Sequence, residues 1–188
     1  CRDMIIVADP EKKGWLGFYA TRIPGKELPE TSAIACVYSE DLIHWKHLPP
    51  AFAPGNIATI EVPDVFQYNG LWYLTCLTGN WYGNRGFWKD PNLSHGTMYA
   101  VSERPQGPYQ EIEDNAFIAS GSTGPITCRT VLCEGERYVL YSDREREGHT
   151  DHGDLFYHGT LTTPKLVRTD GRRLYAAYSP KVEALVER

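Results

Sequence analysis

Four times in this chain a glycine turn leads directly into a run of aromatic and aliphatic residues. The runs are Gly14-Trp15-Leu16-Gly17-Phe18-Tyr19, Gly70-Leu71-Trp72-Tyr73-Leu74, Gly135-Glu136-Arg137-Tyr138-Val139-Leu140-Tyr141 and Gly171-Arg172-Arg173-Leu174-Tyr175. Aromatic and β-branched side chains fit a pleated surface, and glycine supplies the positive φ that tight hairpins need. No long stretch keeps the three-and-four apolar spacing of an amphipathic helix. The chain reads as short antiparallel strands separated by Gly, Pro, Asn and Asp.

Two of these units continue into another strand that ends on a serine and is closed by an aromatic residue. One runs from Ala33 to Ser39 and closes at Trp45 after Glu40-Asp41-Leu42-Ile43-His44; the other runs from Thr97 to Ser102 and closes at Tyr109. Strand, turn, strand, loop, strand and closing aromatic make one four-stranded antiparallel sheet. Such a sheet cannot bury both faces by itself, so radial stacking of several units is the stable solution. An all-β propeller is therefore expected. A β-sandwich also uses short alternating strands but has no reason to repeat the closing aromatic. Ser39 and Ser102 stand 63 residues apart, more than the ~40–50 residues of a typical blade. A long insertion at Thr78 to Gly96 fits the excess.

Acids open two of the apolar runs. Cys1-Arg2-Asp3-Met4 precedes Ile5-Ile6-Val7, and Ile60-Glu61-Val62-Pro63-Asp64 precedes Val65-Phe66-Gln67-Tyr68. Two carboxylates held on rigid strands around one cavity are what cleavage of a glycosidic bond requires.

The composition narrows the alternatives. A net charge of −5 without a basic stripe argues against nucleic acid as a partner, and no apolar run is long enough to span a membrane. Twelve tyrosines and five tryptophans suit strands and sugar-stacking surfaces. The five cysteines show no C-x-x-C or Cys/His ligand spacing. They predict neither a metal site nor a disulfide framework, and lean toward a reducing, cytoplasmic compartment over a secreted one. No cofactor is expected.

In order along the chain, these motifs resemble glycoside hydrolase family 32, the invertase, inulinase and levanase family of five-bladed propellers. Arg2-Asp3 is similar to the family's Arg-Asp-Pro motif, and Glu61-Val62-Pro63-Asp64 to its Glu-Cys-Pro-Asp motif. Ser39-Glu40-Asp41-Leu42-Ile43-His44-Trp45 is similar to its blade signature, and Gly159-Thr160-Leu161-Thr162-Thr163-Pro164-Lys165-Leu166 to its final propeller strands. Met4 and Val62 replace the family's proline and cysteine, without altering a catalytic group.

The resemblance implies a retaining β-fructosidase acting on sucrose, inulin or levan, with Glu61 as general acid/base and Asp3 as transition-state stabiliser. Arg2 would orient a carboxylate or contact sugar hydroxyls, and Asp64 would contact substrate. The family's nucleophilic aspartate lies on a first blade, ahead of Cys1 in the alignment. Residues 1–180 would then be propeller from the second blade onward, and 181–188 the start of a linker toward a C-terminal β-sandwich. An incomplete propeller exposes sheet edges, which calls for more chain or an oligomeric partner to cover them.

Trp81 and Tyr82, in an insertion dense in aromatics, are expected as walls of sugar subsites, the plainer alternative being a loop over the rim. Arg129, near the start of another innermost strand, is expected to reach the cavity; the alternative is a structural arginine paired with Glu134 or Glu136. Trp88-Lys89-Asp90-Pro91-Asn92 imitates the nucleophile motif but follows Glu61, so Asp90 reads as a decoy. His149-Thr150-Asp151-His152-Gly153-Asp154 reads as a solvated acidic loop rather than a metal cluster. Two other functions stay open: a related propeller glycosidase for arabinose or xylose polymers, and a non-catalytic carbohydrate-binding or scaffold propeller.

Overall fold

The computed structural model describes residues 1–80, 88–93, 95–120, 128–141 and 161–186. Within them, twelve strands form three four-stranded antiparallel sheets, each laid down in chain order. The first holds β1 (Arg2–Ala8), β2 (Trp15–Arg22), β3 (Ser32–Ser39) and β4 (Lys46–His47). The second holds β5 (Glu61–Tyr68), β6 (Leu71–Gly79), β7 (His95–Ser102) and β8 (Gln110–Ser120). The third holds β9 (Cys128–Cys133), β10 (Glu136–Tyr141), β11 (Lys165–Asp170) and β12 (Arg173–Ala177).

The glycine turns close the hairpins. Asn69-Gly70, at φ 47° and 82°, sits between the paired Tyr68 and Leu71, and Glu134-Gly135, at 50° and 80°, sits between Cys133 and Glu136. Two positive φ values in a two-residue loop are the type I′ geometry, whose twist matches that of the flanking strands.

Two cores separate the three sheets. Leu16, Phe18, Ile34 and Cys36 of the first sheet pack against Val65, Trp72, Leu74 and Met98 of the second. Phe66, Tyr73, Tyr99 and Val101 of the second pack against Cys128, Val139, Val167 and Leu174 of the third. Successive strand residues point to opposite faces, so Trp72, Leu74 and Cys76 serve one core while Tyr73 serves the other. Covered on both faces, β6 is buried at all positions after its first. In contrast, β1 alternates, because one face of the first sheet is open. Met4, Ile6 and Trp15 lie on that sheet with 45%, 44% and 38% of their surface exposed.

The closing aromatics obey the same geometry. Tyr109 is buried in the core between the first two sheets and donates its hydroxyl to the Pro105 carbonyl at 2.9 Å. Trp45 lies against Gly17 on the opposite, open side of the first sheet. A Cβ on Gly17 would fall 2.9 Å from Val37 Cγ2 and 3.1 Å from Trp45 Cζ3, so only glycine admits these neighbours without movement. Each aromatic thus covers the same side of its own sheet, as a radial repeat requires. Before Trp45, the Ser39 hydroxyl accepts from the Leu42 amide at 2.9 Å, and Asp41 Oδ1 accepts from the Ile43 and His44 amides at 2.9 and 2.8 Å.

The last described residues, where the start of a linker was expected from position 181, are helical. Pro180–Val186 form a short helix, α1. Ser179 caps it by accepting from the Val182 amide at 3.5 Å, and Pro180 occupies the first turn, where a missing N–H is harmless. Lys181 meets Glu134 at 3.3 Å, which ties α1 to the β9–β10 turn.

Candidate functional site

The strands β1 and β5 begin with matching irregularities. Pairing of β1 with β2 steps from Arg2↔Ala20 to Ile5↔Phe18, and pairing of β5 with β6 steps from Glu61↔Leu77 to Asp64↔Thr75. Each is a β-bulge with one extra residue, a device that re-aims side chains at the end of a sheet. Its left-handed residue is Asp3 in the first strand (φ 61°) and Val62 in the second (φ 50°). Aspartate tolerates this region, whereas a β-branched valine there is strained. The bulges therefore align Arg2 with Glu61 and Asp3 with Val62, so the two acids are offset by one position.

The offset lets the two strand starts grip each other. The Arg2 guanidinium pairs with Glu61 Oε1 and lies 3.7 Å from Asp3 Oδ2. The same Asp3 oxygen accepts the Val62 amide at 3.3 Å. The side chains of Asp3 and Glu61 keep 29% and 23% of their surface, so both remain reachable from solvent. Ile57, Ile60 and Val65 are fully or nearly fully buried around the start of β5. Beside this cluster opens a cavity of about 500 Å³, with Arg2, Thr21, Arg22, Ser32 and Glu61 among its lining. That volume lies in the range of small-molecule sites.

Asp64 and Arg129 have other surroundings. Asp64 is 3% exposed, and its Oδ2 accepts from the Thr130 amide at 2.8 Å and the Thr130 hydroxyl at 2.9 Å. Where a substrate contact was expected, the structure has a strut between the second and third sheets. Arg129 Nη1 donates to the Val62 and Pro63 carbonyls at 3.2 and 3.0 Å. It is structural in these contacts, but its partners are neither Glu134 nor Glu136. Those acids bind Lys181 and Arg168 instead. Arg137 completes the seam, donating to the Thr130 hydroxyl at 3.1 Å with its guanidinium 4.7 Å from the Phe66 ring centre.

Trp81, Tyr82 and the stretch His149 to Asp154 lie outside the described residues. Asp90 is exposed and closes its own turn, accepting the Asn92 amide at 2.8 Å. Among the described residues, no group of three or more His, Cys, Asp or Glu side chains could hold a metal ion. The thiols of Cys36, Cys76 and Cys128 are buried and Cys1 and Cys133 exposed; burial pushes the Cys36 and Cys128 thiols up to about 12. Sequence reasoning missed Arg22 and the Asp64–Thr130 strut.

No protein-family model and no curated protein matches the chain. Solved structures do. A levansucrase from B. megaterium superposes with a TM-score of 0.70 at 14% identity, over 94% of this chain and 48% of that one. A thermostable family-43 glycoside hydrolase gives 0.64 at 20%, over 95% and 59%. An endo-arabinase from Bacteroides thetaiotaomicron gives 0.61 at 20%, over 95% and 54%. The fold is that of the propeller glycosidases. The chain spans about half the length of these neighbours.

Proposed function

We propose that this chain is the part of a retaining glycoside hydrolase that carries the general acid/base, Glu61, and a transition-state stabiliser, Asp3, and that it acts on fructose-containing sugars. One observation carries the reading: two partly buried carboxylates from neighbouring sheets, Asp3 and Glu61, are bracketed by one arginine, and Glu61 and that arginine line a cavity of about 500 Å³. In this scheme protonated Glu61 donates to the leaving glycosidic oxygen, while a second carboxylate attacks the anomeric carbon. Glu61 then takes a proton from the water that releases the sugar. Asp3 accepts hydrogen bonds from sugar hydroxyls as positive charge grows on the ring. Arg2 holds both acids in register through its planar donor fork. Asp90 is exposed and engaged in its own turn with Asn92, and the attacking carboxylate is not assigned among the described residues.

Support for fructose comes from the motif order and from the levansucrase likeness. The endo-arabinase likeness, at higher identity, favours a second reading with arabinose polymers as substrate. Assays of the whole protein on sucrose, inulin, levan and arabinan separate the two. Release of fructose that is lost in Glu61→Gln supports the first. Cleavage of arabinan alone supports the second. Saturable sugar binding without any turnover would leave a carbohydrate-binding propeller. The 188-residue chain alone should show essentially no hydrolysis; turnover at enzymatic rates would overturn the assignment of roles and make Asp90 the first residue to mutate.

A further inference from the structure

The cavity beside Glu61 carries more positive charge than the proposed mechanism uses. Arg22 ends β2 and lines the cavity together with Arg2. Arg2 pairs directly with Ala20, and Arg22 follows Ala20 by two residues on the same strand. Residues two apart share a sheet face, and diagonal cross-strand neighbours lie within reach of long side chains. Both guanidiniums therefore stand on the face that turns toward the start of β5. Arg2 is engaged by Glu61 and Asp3. The Arg22 side chain has no ion pair or hydrogen bond among the described residues. Ser32, paired with Arg22 across β2 and β3, shares this wall and fixes it by donating its hydroxyl to the Ala58 carbonyl at 2.6 Å. With Arg2 already balanced by Glu61 and Asp3, Arg22 is a cation on the cavity wall that has no carboxylate partner among the described residues.

We propose that this cavity takes an anionic saccharide, a sugar bearing a carboxylate or phosphate that Arg22 binds while Glu61 faces the neutral end. The proposal rests on the glycosidase reading and names its substrate class. A guanidinium offers two parallel N–H donors to an oxyanion, the geometry that distinguishes such a group from a neutral hydroxyl. Neither acid needs to change role, because the anion is held one diagonal step away from them along the sheet.

Calorimetric titration of the intact chain tests this with fructose 6-phosphate against fructose, galacturonate against galactose, and inorganic phosphate alone. At low salt, at least one anionic sugar should bind about tenfold more tightly than its neutral twin. The advantage should shrink with added salt, vanish in Arg22→Gln and be partly kept in Arg22→Lys. Which twin pair shows it identifies the anion as phosphate or carboxylate. Equal affinities within both pairs would overturn the proposal and leave the glycosidase reading intact. So would inorganic phosphate binding as tightly as the phosphorylated sugar. If no sugar binds, charged or neutral, both readings fall. An unchanged melting temperature of Arg22→Gln confirms that the loss is one of recognition.

Discussion

The starts of β5 and β9 face each other across one seam and do opposite things. At β5 a bulge turns Glu61 toward a cavity, at the expense of a left-handed valine beside it. At β9 the pairing with β10 is regular from Cys128 to Cys133, and its polar residues turn back to the neighbouring sheet. Arg129 holds the carbonyls of Val62 and Pro63, and Thr130 holds Asp64. One strand turns a carboxylate to a cavity and the next braces it from behind. A left-handed β-branched residue costs about 1–3 kcal/mol and persists only where its surroundings over-determine it. Here Asp3 grips the Val62 amide from one side while Arg129 grips its carbonyl from the other.

The widest gap between the two strands should appear in turnover. In the catalytically competent protein, Glu61→Gln should lower kcat by ~10²–10⁴-fold, the range for a lost general acid. Substrates with activated leaving groups should lose less in the first step, and the urea midpoint should hardly move. A Glu61→Gln variant of unchanged kcat would remove β5 from the chemistry.

Stability should respond the other way round. Arg129→Ala strands two carbonyls that now share a charged donor, and should lower unfolding free energy by about 2–3 kcal/mol in urea titration. Asp64→Ala should cost a similar amount, and the double variant less than the sum, because both losses open the same seam. Strict additivity would mean that Arg129 and Asp64 do not act together. Relief of strain should be smaller and of opposite sign. Val62→Asn places a residue that tolerates the left-handed region, and should raise stability by about 1 kcal/mol. Destabilisation would show that the valine side chain contributes more by packing than its backbone loses by strain.

The smallest effect lies far from the seam. His44, first, and then the amides of His44 and Ile43 hold the Asp41 carboxyl well below its ordinary value of 3.8. A depressed carboxylate pKa gives stability that is fully present above the unfolded value and lost as pH falls through the folded one. Acid unfolding monitored below about pH 4 should therefore be slightly shallower in Asp41→Asn than in the parent. Identical acid limbs would show that the exposed turn contributes nothing measurable.

The hairpins were legible because their signal is local: Asn69-Gly70 and Glu134-Gly135 are turns wherever apolar strands flank them. The meeting of Asp3 and Glu61 was legible as two acids at strand starts, but their one-position offset was not. A bulge leaves no letter in the sequence, and Val62 carries no mark of its positive φ. The roles found for Arg129 and Asp64 were hidden for a related reason. Arg129's partners are backbone carbonyls, which every residue has, and Asp64's partner Thr130 stands on another sheet. Arg22 lines the cavity only because two sheets pack, which no spacing along β2 could reveal. The helix α1 could have been read from Ser179-Pro180, a cap followed by a first-turn proline, but seven residues are too few for apolar periodicity to register.

Because both faces of β6 are covered, its letters answer to two different neighbours. Trp72, Leu74 and Cys76 fit the first sheet, while Tyr73 fits the third. If either flanking sheet drifted over evolutionary time, only alternate positions of this strand would need to follow. Two surfaces of the protein could thus diversify independently through one shared segment, each editing its own half of the text.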